Sequence, residues 1–169
     1  MENWLAQGVG GIAFLVGVMA FWQKDDTRFR YQMMSFCFIM GLHFSLMGAT
    51  VAAIGVMING VRSFVSIKTQ SRTVMWTFLF LLWGMSLPNM THYFELIAIV
   101  GSSVGTWALF SKKGLALRGM ILFNSTCWFT HNIWLGSIGG SLIEGTFVLT
   151  NLFTIYRLNA DRLKLQATE

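Results

Sequence analysis

Most of the chain is taken up by apolar runs separated by short polar stretches, at positions 5–22, 32–48, 51–67, 74–87, 94–110, 119–135 and 142–158. Nearly all approach the ~20 residues that carry a helix across a ~30 Å hydrocarbon core. The pattern predicts an all-α membrane protein of seven transmembrane helices, the run 74–87 being the shortest.

The polar stretches are of two kinds, and they alternate. Lys24, Arg28 and Arg30 follow the first run, Lys68 and Arg72 the third, and Lys112, Lys113 and Arg118 the fifth, while Arg157, Arg162 and Lys164 close the seventh. Positions 1–4, 49–50, 88–93 and 136–141 hold no Lys or Arg. Cytoplasmic loops retain basic residues, so this alternation predicts an odd number of spans, an external amino terminus and a cytoplasmic carboxyl terminus. No basic region precedes the first run, which is therefore expected to stay as a membrane helix rather than leave as a signal peptide.

Composition agrees: 54% of residues are hydrophobic and only 11% charged, which excludes an ordinary soluble domain. The net charge of +5 does not imply nucleic acid, because the cations sit at span boundaries rather than along one face. Cys37 and Cys127 fall inside apolar runs and read as packing residues.

The sequence also matches itself at an offset of 88, which pairs Gly17 with Gly105, Lys24 with Lys112, Arg30 with Arg118, His43 with His131 and Gly48 with Gly136. Beyond Gly136 the second copy reads as four residues longer, so that Asn59 pairs with Asn151. The expected architecture is 3+1+3: a three-helix repeat over 5–67, a linker helix over 74–87, a second repeat over 94–158 and a cytoplasmic tail over 159–169. One intervening span makes the repeats parallel, facing each other across a central space. Ala13 with Gly17, and Gly101 with Gly105, place small residues four apart, where helix backbones can approach closely.

Polar side chains within apolar runs are the candidates for function, since each must face protein or a wet cavity. Asn59 and Asn151 either bond neighbouring helices or line a pocket. His43 and His131, the latter followed by Asn132, lie near the outer ends of their spans and fit interhelical hydrogen bonding or proton handling. Arg62 and Glu144 are charges present in one copy only, about 15 Å apart in depth by helical rise. Arg62 either lines the cavity or snorkels to the boundary. Trp128 is expected to face inward, with Trp22, Trp107 and Trp134 acting as boundary anchors or packing. Two histidines without a carboxylate or thiolate at coordinating spacing do not make a metal site. No cofactor is implied, and no nucleophile–base pair points to an enzyme.

The segments WLAQGVGGIAFLVG at 4–17, VGTWALFSKKG at 104–114 and CWFTHNIWLGSIGGSLIEG at 127–145 resemble the YgjV family of bacterial inner-membrane proteins. That resemblance implies location and multi-pass topology, without an activity. Gln23, the stretches from His43 to Gly48 and Trp128 to Gly136, and Asn59 with Asn151 are similar to the wider PQ-loop superfamily, which includes the SWEET sugar transporters. This second likeness implies the 3+1+3 arrangement and a pocket in which Asn59 and Asn151 face each other. The chain departs from it in having Trp22 where a proline precedes the motif glutamine, Phe110-Ser111 for Pro-Gln, and a single proline, Pro88. Together these readings predict a carrier of a small polar solute, with a pocket of Asn59, Asn151, His43, His131, Trp128 and Asn132 and cavity charges Arg62 and Glu144. The alternative is a non-transporting sensor or assembly protein on the same scaffold. The expected partners are the lipid bilayer and the solute, not nucleic acid, with a homo-oligomer left open.

Overall fold

The computed structural model describes residues 4–21, 26–112 and 114–166. Trp22, Gln23, Lys24 and Lys113 lie outside the described residues, as do the side chains of Arg28, Arg30, Arg157, Arg162 and Lys164. Among the described residues seven α-helices follow one another: α1 (Trp4–Phe21), α2 (Asp26–Leu46), α3 (Thr50–Val65), α4 (Arg72–Ser86), α5 (Glu95–Ser111), α6 (Gly114–Leu135) and α7 (Ile138–Gln166). A 3-10 turn, Leu87–Asn89, carries Pro88 after α4, where its fixed φ and missing N–H cost nothing.

Each helix matches one apolar run, but α2, α6 and α7 are longer than theirs. Backbone hydrogen bonding does not stop where apolarity does, so these helices continue through the basic stretches at 26–31 and 114–118 and past residue 158. Among the described residues, Ile138–Tyr156 of α7 is the one helical stretch long and apolar enough by itself to cross a membrane. Trp4–Met19, Thr50–Val65 and Glu95–Ser111 are shorter apolar helices.

The helices close into a ring. α1 packs on α2, α2 on α3, α3 on α5, α5 on α6, α6 on α7, and α7 returns to α1. α4 stands outside this ring against α3 and α5, and Trp83 Nε1 donates to Ser103 Oγ at 2.9 Å to hold it there. Beside an apolar core, the described residues bury many polar groups while large apolar side chains cover the outside. Phe80, Ile12, Leu149 and Phe153 face outward, whereas His43, Ser102, His131 and Asn132 are buried. A lipid-like surround accounts for this, because buried polar groups bond one another while apolar side chains meet acyl chains.

The turns after α2 and α6 have the same construction. Gly48 and Gly136 both adopt φ 74°, a left-handed conformation that glycine enters without a Cβ penalty. The Gly48 N–H donates to Ser45 O at 3.1 Å and the Ala49 N–H to Phe44 O at 2.9 Å. At the second turn, the Gly136 N–H donates to Ile133 O at 3.1 Å and the Ser137 N–H to Asn132 O at 2.9 Å. Both are Schellman caps, which satisfy carbonyls at the end of a helix. Gly48→Ala and Gly136→Ala are each expected to cost about 1 kcal/mol, read as a lower thermal midpoint in detergent. Gly11→Ala, where a Cβ meets open space, is expected to leave the midpoint unchanged or raise it.

α3 and α7 each begin two residues after their glycine, at Thr50 and Ile138. The four-residue extension expected after Gly136 is therefore absent, because residues 138–141 form the first turn of α7 rather than a loop. The offset stays at 88, and the position matching Asn59 is Phe147, while that matching Asn151 is Ser63.

Candidate functional site

A cavity of about 420 Å³ lies inside the ring. Its wall on α2 is Met33, Phe36, Cys37, Met40 and Phe44; on α6, after Leu117 and Arg118, come Ile121, Asn124, Ser125, Trp128 and Asn132. Each residue of the second set stands 88 positions after its partner in the first. α3 contributes Val56, Asn59, Arg62, Ser63 and Ser66, and α7 contributes Ile143, Glu144, Phe147 and Asn151. At 36/124, 37/125 and 44/132, α2 lays a phenyl ring, a thiol and a phenyl ring where α6 lays an amide, a hydroxyl and an amide.

Close packing of α1 and α5 behind these walls explains why small residues are needed there. A Cβ on Gly17 would meet Phe36 at 3.2 Å, and one on Gly105 would meet the Asn124 side chain at 3.0 Å. Gly101 is pressed against the Cys127 Cβ in the same way, and Gly60 against that of Cys37. Both thiols are packing residues.

Ser102 on α5 ties three helices together at mid-depth. Its Oγ accepts from Asn59 Nδ2 at 3.1 Å and from Trp128 Nε1 at 2.9 Å, and its carbonyl accepts from Thr106 Oγ1 at 2.7 Å. Arg62 reaches the same place, donating from Nη1 to Thr106 Oγ1 at 2.5 Å and to the Ser102 carbonyl at 3.4 Å. It is 7% exposed, so it lines the cavity and does not snorkel to the boundary. Ser102 and Thr106 were not among the residues picked from the sequence. Their spacing of four within an apolar run, one helical turn, is the signal that marks them.

Glu144 is six residues into α7 and Arg62 twelve into α3, which sets their Cα levels about 9 Å apart rather than about 15 Å. Ser125 hydrogen-bonds Glu144, and Cys37 lies within the electrostatic reach of both charges. Asn59 and Asn151 both line the cavity but roughly one turn apart, not at equivalent points. Several buried polar atoms on the wall carry no hydrogen bond: Asn59 Oδ1, Arg62 Nε, Asn124 Oδ1, Asn132 Oδ1 and Glu144 Oε2.

The end of the cavity where α1 and α7 start is closed. Gln7 donates from Nε2 to Gly136 O at 2.9 Å and accepts the Ile138 N–H on Oε1 at 3.1 Å. His43 contacts Ala6 O through Nδ1 at 2.6 Å and Ser137 Oγ through Nε2 at 2.7 Å. A carbonyl only accepts, so Nδ1 carries the proton, and in the neutral ring Ser137 donates to Nε2. Ser137 Oγ in turn accepts the Gly140 N–H at 3.1 Å and caps α7. Ala49 occupies the corresponding position in the first half and offers no hydroxyl. Accordingly His131, fully buried among Phe44, Trp128 and Trp134, has neither ring nitrogen bonded. Neither histidine lines the cavity, and of the predicted pocket residues Asn59, Asn151, Trp128 and Asn132 do. Toward the opposite end the wall continues to Ser66 and Arg118, where Arg118 is exposed.

No solved structure matches the chain. It is 43% identical over 154 residues to the inner membrane protein YgjV of Escherichia coli (strain K12), covering 91% of this chain and 84% of that protein. The Imp-YgjV family model, described as bacterial inner membrane protein, matches residues 4–162. The chain belongs to the Imp-YgjV family of bacterial inner membrane proteins.

Proposed function

We propose that this inner membrane protein carries a small polar solute through a pocket between two parallel three-helix repeats. The observation that supports this is the central cavity, which is lined by amide, carboxyl and guanidinium side chains inside an apolar bundle. Such groups cost roughly 1–3 kcal/mol each when left unpaired, and more when charged. A polar solute offsets that cost, whereas a purely scaffolding bundle would do better with apolar contacts.

The seven helices are read as seven spans, α1–α3 and α5–α7 as the repeats and α4 as the linker. The matched Schellman turns, the matched α2 and α6 walls and the constant offset of 88 support the repeat. With basic loops in the cytoplasm, the Arg118 end faces inward and the Gln7–His43–Ser137 closure faces the periplasm. That is an inward-facing arrangement, from which transport proceeds by parting the α1–α7 seam.

The test is a flux survey in proteoliposomes over polar metabolites. We expect saturable flux of one class, reduced at least tenfold by Asn124→Leu or Asn151→Leu, which replace amides in the wall with an apolar branch. Flux no faster than in protein-free vesicles for every class would overturn the reading.

A further inference from the structure

We infer that the solute is a small zwitterion, bound with its ammonium group at Glu144 and its carboxylate at Arg62. The inference rests on the transport reading and narrows it to a substrate class. The buried part of the cavity wall holds an acid and a base, Glu144 on α7 and Arg62 on α3, whose Cα levels stand about 9 Å apart. They do not bond each other. Arg62 is held by a hydroxyl and a carbonyl, Glu144 by a hydroxyl, and each retains an unbonded atom, Nε and Oε2. Two ionisable groups kept from water and from each other are expensive to hold, and a neutral polyol would compensate neither.

The groups around each charge have matching character. Beside Glu144 the wall is aromatic, with Phe147 one turn along α7 facing Phe36 of α2 at 6.1 Å between ring centroids. Ring faces attract an ammonium group. At the depth of Arg62 the wall turns polar, with Asn59, Ser63 and Asn151 beside the guanidinium, and Arg118 lies beyond at the open end. The cavity therefore sets an acid and two phenyl rings toward the end where α1 and α7 start and two arginines toward the other, an asymmetry that orients a bipolar solute. Cys37 of α2 lies on the same wall, within the electrostatic reach of both groups.

Three six-carbon probes test this: 6-aminohexanoate, hexanoate and hexylamine, added to the detergent-purified protein in a thermal-shift series. The zwitterion is expected to act at concentrations at least tenfold lower than either singly charged probe. Glu144→Gln is expected to reduce its response to that of hexanoate, and Arg62→Gln to that of hexylamine. Equal responses to all three probes, or responses unchanged in both variants, would sink the proposal. Should either variant fail to fold, isothermal titration calorimetry of the wild-type protein with the same probes provides a second measurement. There 6-aminohexanoate is expected to bind with a Kd at least tenfold below that of either control probe, and equal affinities count against the inference. Flux of an uncharged solute without zwitterion binding would leave the transport reading standing and this inference refuted. Zwitterion binding without flux would do the reverse.

Discussion

Gly139→Val is expected to leave little folded protein, with most of the chain lost from the monodisperse peak in size-exclusion chromatography. A Cβ at Gly139 points into the backbone of Gly10 on α1, which no rotamer change can clear. The seam between α1 and α7 must then part. With it go both Gln7 hydrogen bonds and the His43–Ser137 contact. Overpacking against rigid neighbours costs about 1–3 kcal/mol, and interhelical hydrogen bonds in membranes average about 0.6 kcal/mol each. The sum, about 4 kcal/mol, is a large part of the stability of a small protein. Gly8→Ala on the same helix meets nothing within 4 Å and serves as the control. An unchanged melting midpoint for Gly139→Val would mean that the two backbones do not touch.

Seven helices were legible because apolar runs and the basic residues that punctuate them depend on composition alone. Helix ends were not. The Gly136 to Ser141 stretch has the small and polar residues of a loop, yet Ser137 caps α7 and draws residues 138–141 into its first turn. That local bond shifted the expected pairing of Asn59 with Asn151 by one turn and overstated the depth between Arg62 and Glu144. The histidines show a second limit. His43 and His131 are equivalent in sequence, but one is fully bonded and the other is not, because a hydroxyl at position 137 has no counterpart at 49. A long-range partner of this kind leaves no periodic trace. Ser102 escapes a sequence reading for the same reason, since the four side chains that hydrogen-bond it come from α3, α5 and α6.

Trp128→Ala is expected to produce the largest change within the cavity itself. Trp128 is 4% exposed, stacks on Phe44 with ring centroids 5.9 Å apart, covers Gly55 of α3 and donates to Ser102 Oγ at 2.9 Å. It therefore braces α6 against α2, α3 and α5. In a bilayer the transfer term of such a truncation shrinks, because the unfolded side chain also sits among acyl chains. What remains is lost contact, about 24 cal/mol per Å³ of space left behind, or roughly 2–3 kcal/mol for an indole. Trp128→Phe keeps an aromatic ring over Phe44 and forfeits the bond to Ser102, for about 1 kcal/mol. Thermal midpoints should fall in the order wild type, Trp128→Phe, Trp128→Ala. The zwitterion response should survive the phenylalanine and weaken at least tenfold with the alanine, which removes the ring that braces the cavity wall. If the two variants melt together, the hydrogen bond and not the ring is the brace.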